Sequence, residues 1–114
     1  MKKPNPPFMT GVPELVVLRL LAEREMYGYE IVRAIRLASR EAIVLAEGVV
    51  YPMLHGLEAR GLLQGRERRV DGRNRVYYRL SAKGQRRLAE LTEEWERVQT
   101  GVRSLLEHPG HGAT

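Results

Sequence analysis

Apolar residues recur at helical spacing in four stretches of the chain and alternate in a fifth. Leu15, Leu18 and Leu21, with Val17 and Leu20, form a wide apolar stripe, the mark of a helix with one face in a core. Pro13 and Glu14 precede it. Proline is tolerated in the first turn of a helix and glutamate there favours the dipole, so a first helix is predicted from Pro13 to Glu23. Met26-Tyr27-Gly28-Tyr29-Glu30 then breaks the pattern with a glycine. In a second helix Ile31, Ala34, Ile35 and Ala38 repeat at i, i+3, i+4 and i+7, opposite Glu30, Arg33, Arg36 and Arg40. Residues 40–47 connect onward. Val50, Met53, Leu54 and Leu57 repeat the spacing in a third helix from Val49 to Ala59. Pro52 fits only near its start, which sets the N-terminus close to Gly48, and Gly61 is placed to end it in a left-handed cap.

The alternating stretch is a hairpin. Leu62 and Leu63 begin one strand and Arg75 to Leu80 form the other. Val76, Tyr78 and Leu80 alternate with Arg75, Tyr77 and Arg79, giving one apolar face and one cationic and aromatic face. This places Tyr77 at the surface and Tyr78 in the core. Asp71-Gly72 between the strands is a favoured tight-turn pair. Ser81 then caps a last helix that continues to Leu106. Its apolar positions Leu88, Leu91, Trp95, Val98, Val102 and Leu105 are spaced 3, 4, 3, 4, 3, an a/d heptad seam suited to pairing with a second copy. The predicted fold is mainly α with a small β-hairpin (α+β). Its parts are a flexible arm over residues 1–12, a domain over 13–80, a dimerisation helix over 81–107 and a disordered tail over 108–114.

Composition narrows the chemistry. The 114 residues contain no cysteine, which excludes a disulfide scaffold, a thiolate metal site and a cysteine nucleophile. His55, His108 and His111 are the only histidines, two of them in the expected tail, so no metal site is predicted. There is no phosphate-binding glycine loop and no nucleophile with a base and an orienting partner. Glu93 and Glu94 lie opposite the seam, as solvated acids would. The chain is read as no enzyme, with no cofactor. No apolar run has the length of a membrane span or signal peptide, and a cytoplasmic location is expected.

Charge gives the positive indication. The net charge is +5, but ten basic and two acidic residues fall between Arg60 and Arg87. That block carries +8 and leaves −3 for the remainder. A concentrated basic block points to a polyanionic partner; a solvated basic face is the plainer alternative. The order of three helices, hairpin and long helix is that of a winged helix-turn-helix, whose third helix fits a major groove with its N-terminal residues at base edges. Here those are Glu47, Gly48, Val49, Tyr51 and His55. Arg66, Arg68, Arg69, Arg73, Asn74 and Arg75 would lie along phosphates or in the minor groove, supplying affinity more than sequence reading. Tyr77 joins this set from the cationic face. Tyr51 either contacts phosphate or packs with Pro52. Tyr29 either donates to phosphate or is a core aromatic, and His55 either reads a base or is solvated.

The chain resembles the PadR-like family of transcriptional regulators through four motifs in order. They are Tyr27-Gly28-Tyr29-Glu30-Ile31 at the start of helix two, the stretch from Gly48 to Glu58 including Tyr51-Pro52, Gly61-Leu62-Leu63 where the chain leaves helix three, and the stretch from Arg75 to Gly84. The match covers residues 13–90, and the length is that of the short, single-C-terminal-helix subclass. The resemblance implies a homodimeric repressor that binds an inverted-repeat operator in double-stranded DNA and releases it on meeting a small-molecule effector. Two positions depart from the family pattern. Gly56 stands where relatives often carry Arg or Lys, and Val49 where a small hydroxyl residue is frequent.

Trp95 has two readings. It packs in a dimer interface, or a pair of these tryptophans lines an interface cavity where flat, apolar or aromatic effectors stack. The seam likewise has a second reading, in which residues 88–105 fold back over helix one as a lid. Two other functions stay open from sequence: a winged-helix protein-interaction adaptor pairing through the last helix, and RNA binding through the hairpin, for which exposed stacking aromatics are scarce.

Overall fold

The computed structural model describes residues 7–110, the first four of them as backbone only. Four helices and a three-stranded antiparallel sheet follow in the order α1 (Pro7–Glu23), β1 (Met26–Tyr27), α2 (Gly28–Ala38), α3 (Glu47–Ala59), β2 (Leu63–Val70), β3 (Arg73–Leu80) and α4 (Ala82–Leu106). The core is Val17, Leu18 and Leu21 of α1, Met26 of β1, Ile31 and Ile35 of α2, Val50, Leu54 and Leu57 of α3, and Leu62, Leu63, Tyr78 and Leu91. The helical stripes meet there, and the arrangement is a winged helix-turn-helix with a long C-terminal helix.

The first helix corrects the sequence expectation. It runs through Pro13 back to Pro7, so residues 7–12 are helix and not loose arm; residues 1–6 lie outside the described residues. The cause is tertiary. Gly11, Val12 and Leu15 lie beside Leu91, Trp95 and Val98 of α4. That packing supports the extra turns and offsets the donor that Pro13 removes. At the other end, residues 108–110 follow α4 as irregular chain, and 111–114, including His111, lie outside the described residues.

β1 is also absent from the sequence reading. Its two residues pair Met26 with Tyr78 and Tyr27 with Tyr77, placing β3 in the centre of the sheet, order β1-β3-β2. Two residues are too few to show an alternation. The hairpin strands run further than the apolar pattern reaches, in register from Leu63↔Leu80 to Val70↔Arg73. Asp71 and Gly72 both have positive φ, 52° and 76°, the geometry a type I′ turn requires and the reason glycine stands there. The outer half of the hairpin extends past the helices. Val76, predicted on the apolar face, is therefore 39% exposed.

The junctions are hydrogen-bonded. α3 ends in a Schellman pair, Leu62 N–H to the Leu57 carbonyl (2.9 Å) and Gly61 N–H to that of Glu58 (2.9 Å). Ser81 caps α4 by accepting from the Gly84 N–H at 3.0 Å, and its hydroxyl donates to the Gly61 carbonyl at 2.6 Å. Glu14 of α1 holds Arg87 of α4 at 3.1 Å and Arg60 at 3.5 Å.

α4 leaves the body of the protomer. The radius of gyration is 17.0 Å, against about 13 Å for a compact chain of this length. Leu91 is buried within its own chain and Leu88 packs on the core, both against the expectation of a free seam. This part of the helix does fold along α1. Beyond it, Val102, Leu105 and Leu106 are 47%, 69% and 81% exposed.

Candidate nucleic-acid interface

α3 buries Val50, Leu54 and Leu57 and turns the opposite strip outward: Gly48, Val49, Pro52, His55, Gly56 and Ala59 are exposed. Nothing lies within 4 Å of where a side chain at Gly48 or Gly56 would begin. The strip is therefore shallow near its start, where backbone can approach a flat partner closely. Glu47 stands in the first turn, where its charge favours the helix dipole.

Tyr51 does not project freely from this strip. Its half-buried ring lies across Gly28, the first residue of α2, where even a methyl group would collide with it. Burial, and then the charges of Glu47 and Tyr27, push its phenol above the usual tyrosine value of 10.0. At neutral pH it stays protonated and can donate a hydrogen bond. Tyr29, on the next position of α2, is half exposed beside Arg33, Arg36 and Val44. It is no core aromatic.

The hairpin divides the expected arginine cluster between two faces. Residues directly opposite on paired strands share a face. Arg66, Arg68, Arg73, Arg75 and Arg79 therefore lie on one side, with Tyr27, Gln64 and Tyr77. Arg69 and Asn74 lie on the other, with Glu67 and Val76. The core-facing base of this second side carries Tyr78, which is 4% exposed.

The cations of the first face are held in distinct ways. Glu25, between α1 and β1, accepts from Arg68 at 2.8 Å and from Arg66 at 3.2 Å. The Arg68 guanidinium stacks over the Tyr77 ring and that of Arg75 over Tyr27, each 4.4 Å from the ring centre. The two rings meet edge to face at 5.4 Å. Arg79 donates to Gln64 at 3.0 Å. Arg69, Arg73 and Asn74 flank the turn, exposed and without a side-chain partner among the described residues. Glu25 and Tyr27 were missed in the sequence reading, because only the pairing of β1 with β3 brings them to the hairpin.

The seam residues are not gathered into one free surface. Trp95 and Val98 are half-buried against Gly11, Val12 and Leu15, around a recess of about 20 Å³. That holds roughly one water, so a single chain has no room for an effector there. Trp95 and Val98 also border a groove on α4 with Val102 and Leu106. Among the described residues no three His, Asp or Glu side chains are grouped to hold a metal, and no helix is long and apolar enough to cross a membrane.

Comparison with known proteins agrees with this fold. The model of the PadR-like transcriptional regulator family matches residues 17–90. A transcriptional regulator of Mycobacterium tuberculosis is 34% identical over 106 residues, spanning 93% of this chain and 94% of its own. Among solved structures, a transcriptional regulator from Clostridium thermocellum matches with a TM-score of 0.79 and 28% identity, over 87% of this chain and 97% of that one. A PadR-like transcriptional regulator from Bacillus cereus matches with a TM-score of 0.77 and 29% identity, over 90% and 98%.

Proposed function

The chain belongs to the PadR-like family of transcriptional regulators, and on that premise we propose that it binds an inverted-repeat operator in double-stranded DNA as a homodimer. α3 of each protomer enters successive major grooves, half-sites one helical turn or about 34 Å apart. Val49 and His55 face base edges, and Val49 suits contact with a thymine methyl. Tyr29 and the protonated Tyr51 hydroxyl serve the flanking backbone. Arg69, Arg73 and Asn74 at the hairpin tip lie along phosphates. The observations that carry this reading are the exposed start of α3 and a hairpin tip whose two arginines have no partner of their own among the described residues.

Dimerisation uses the outer part of α4, where Val102, Leu105 and Leu106 stand uncovered. Trp95 and Val98 join that surface at its inner edge. An aromatic or apolar effector would occupy a cavity completed by the second chain near Trp95, and its binding would release the operator. As a regulator of this family the protein is not an enzyme.

The test is a salt titration of operator binding by tip variants. Arg69→Ala and Arg73→Ala should each weaken binding evenly across sequences and lower the slope of log K against log salt by about 1. His55→Ala should instead change base preference at constant slope. Tip variants that alter base preference and leave the slope unchanged would contradict this assignment.

A further inference from the structure

On the first face of the hairpin, Arg68 and Arg75 stand directly opposite each other on neighbouring strands. Like charges in that position push a sheet apart. The structure counters this by sending the two guanidinium groups to different rings, Arg68 to Tyr77 and Arg75 to Tyr27, while the Glu25 carboxylate binds Arg68 and Arg66. The stacks and the shared carboxylate form a continuous row: Glu25, Arg68, Tyr77, Tyr27, Arg75. Individual ion pairs at this exposure are weak and screened by salt, but the Arg68 guanidinium is fixed twice, by Glu25 and by the Tyr77 ring.

This row connects two parts of the interface. Tyr77 belongs to the hairpin. Tyr27 pairs with it in the sheet and immediately precedes Gly28, on which the Tyr51 ring of α3 rests. A second tie runs on the other side of the hairpin, where the Gly65 N–H donates to Glu58 of α3 at 3.1 Å. The base of the hairpin is already packed against the recognition helix through Leu62, Leu63 and Tyr78 of the core; these two ties, one of them through the stacked rings, add to that packing further along the strands.

We infer that Glu25, Tyr27, Tyr77, Arg66, Arg68 and Arg75 are positioning residues, a brace that fixes the angle between hairpin tip and α3. The three arginines act on DNA binding through the tip and do not contact phosphate. Arg66 and Arg68 already have a carboxylate and Arg75 a ring, whereas Arg69 and Arg73 have neither. This inference rests on the DNA-binding reading above and narrows it.

The experiment compares Arg68→Ala, Glu25→Gln, Tyr77→Ala and Tyr77→Phe with the tip variant Arg73→Ala in the full chain. Affinity and salt slope are read on operator and scrambled duplexes, and amide hydrogen exchange is read across residues 64–79. Arg68→Ala, Glu25→Gln and Tyr77→Ala should each lose about two- to fivefold in operator affinity, keep the wild-type salt slope, leave scrambled-duplex binding unchanged and speed hairpin exchange. Tyr77→Phe keeps the ring and should match wild type. Arg68→Ala lowering the slope as Arg73→Ala does, or Glu25→Gln tightening binding by freeing two arginines for phosphate, would overturn the brace. So would a wild-type result for Arg68→Ala or Glu25→Gln, or a loss in Tyr77→Phe. If the wild-type chain binds no duplex, the DNA-binding reading fails, and exchange alone decides the brace: faster hairpin exchange in Glu25→Gln supports it, unchanged exchange refutes it.

Discussion

Gly28 and Tyr51 are 23 positions apart in the chain and share one contact that neither residue's own surroundings in sequence announce. The glycine breaks a hydrophobic pattern, which reads as a turn; its actual task is to leave room for a ring from α3. Gly28→Ala should therefore cost about 1–3 kcal/mol by overpacking. Most of that loss should be recovered when Tyr51→Ala is added, since the second change removes the ring that the methyl group strikes. Urea unfolding of the two single variants and the double variant gives the coupling directly; additive losses would mean that the ring does not rest on Gly28. At this scale the sequence was informative where one residue's neighbours decide its state. Tyr78 falls in the core by strand alternation, and Asp71-Gly72 forms its turn by backbone preference alone. It was uninformative where a distant partner decides. The choice for Tyr51 between phosphate and packing stayed open because its neighbour is Gly28, and the grouping of Arg66 with Arg73 as equals failed to see Glu25.

Among the elements, α4 shows most clearly what a repeat pattern can and cannot say. Spacings of 3 and 4 establish an apolar stripe along Leu88 to Leu105, but they carry no information on which helix covers it. α1 of the same chain takes the first part, and its own start moves back to Pro7 as a result. The stripe divides near Trp95, and substitutions on the two sides should behave differently. Leu91→Ala opens a cavity in the protomer's own core and should cost about 2–5 kcal/mol. Leu105→Glu puts a charge on a side chain already 69% exposed, leaves the protomer folded and removes the apolar surface proposed to bind the second copy. Sedimentation of that variant should give a 13.0 kDa species with an unchanged helical circular dichroism signal, where the parent should sediment as the proposed dimer. A dimer that survives Leu105→Glu and Val102→Glu would place the interface elsewhere. The hairpin teaches the complementary point. Its turn and the alternation of its second strand were legible in the sequence, whereas β1, only two residues long, exists because β3 offers it an edge.

In the whole molecule, the uneven charge divides between internal ion pairs and the surface proposed to meet DNA. The basic block between Arg60 and Arg87 was visible in the sequence, and so was the order of elements that puts α3 beside a hairpin. How the block is apportioned was not. Arg60 and Arg87 close onto Glu14 and Arg66 and Arg68 onto Glu25, Arg75 and Arg79 meet a ring and an amide, and Arg69, Arg73, Lys83 and Arg86 have no ion pair among the described residues. Formal charge overstates the cations available to a duplex, so the salt dependence should be shallower than ten basic residues would give. The most direct test is a salt titration of wild-type binding to a labelled duplex carrying the protein's own upstream region, beside a scrambled duplex of equal length. The account predicts that affinity falls with salt on both and that the native duplex is preferred by about 10³-fold or more. Absence of binding to either duplex at low salt would contradict it and turn attention to a protein partner for the same surface.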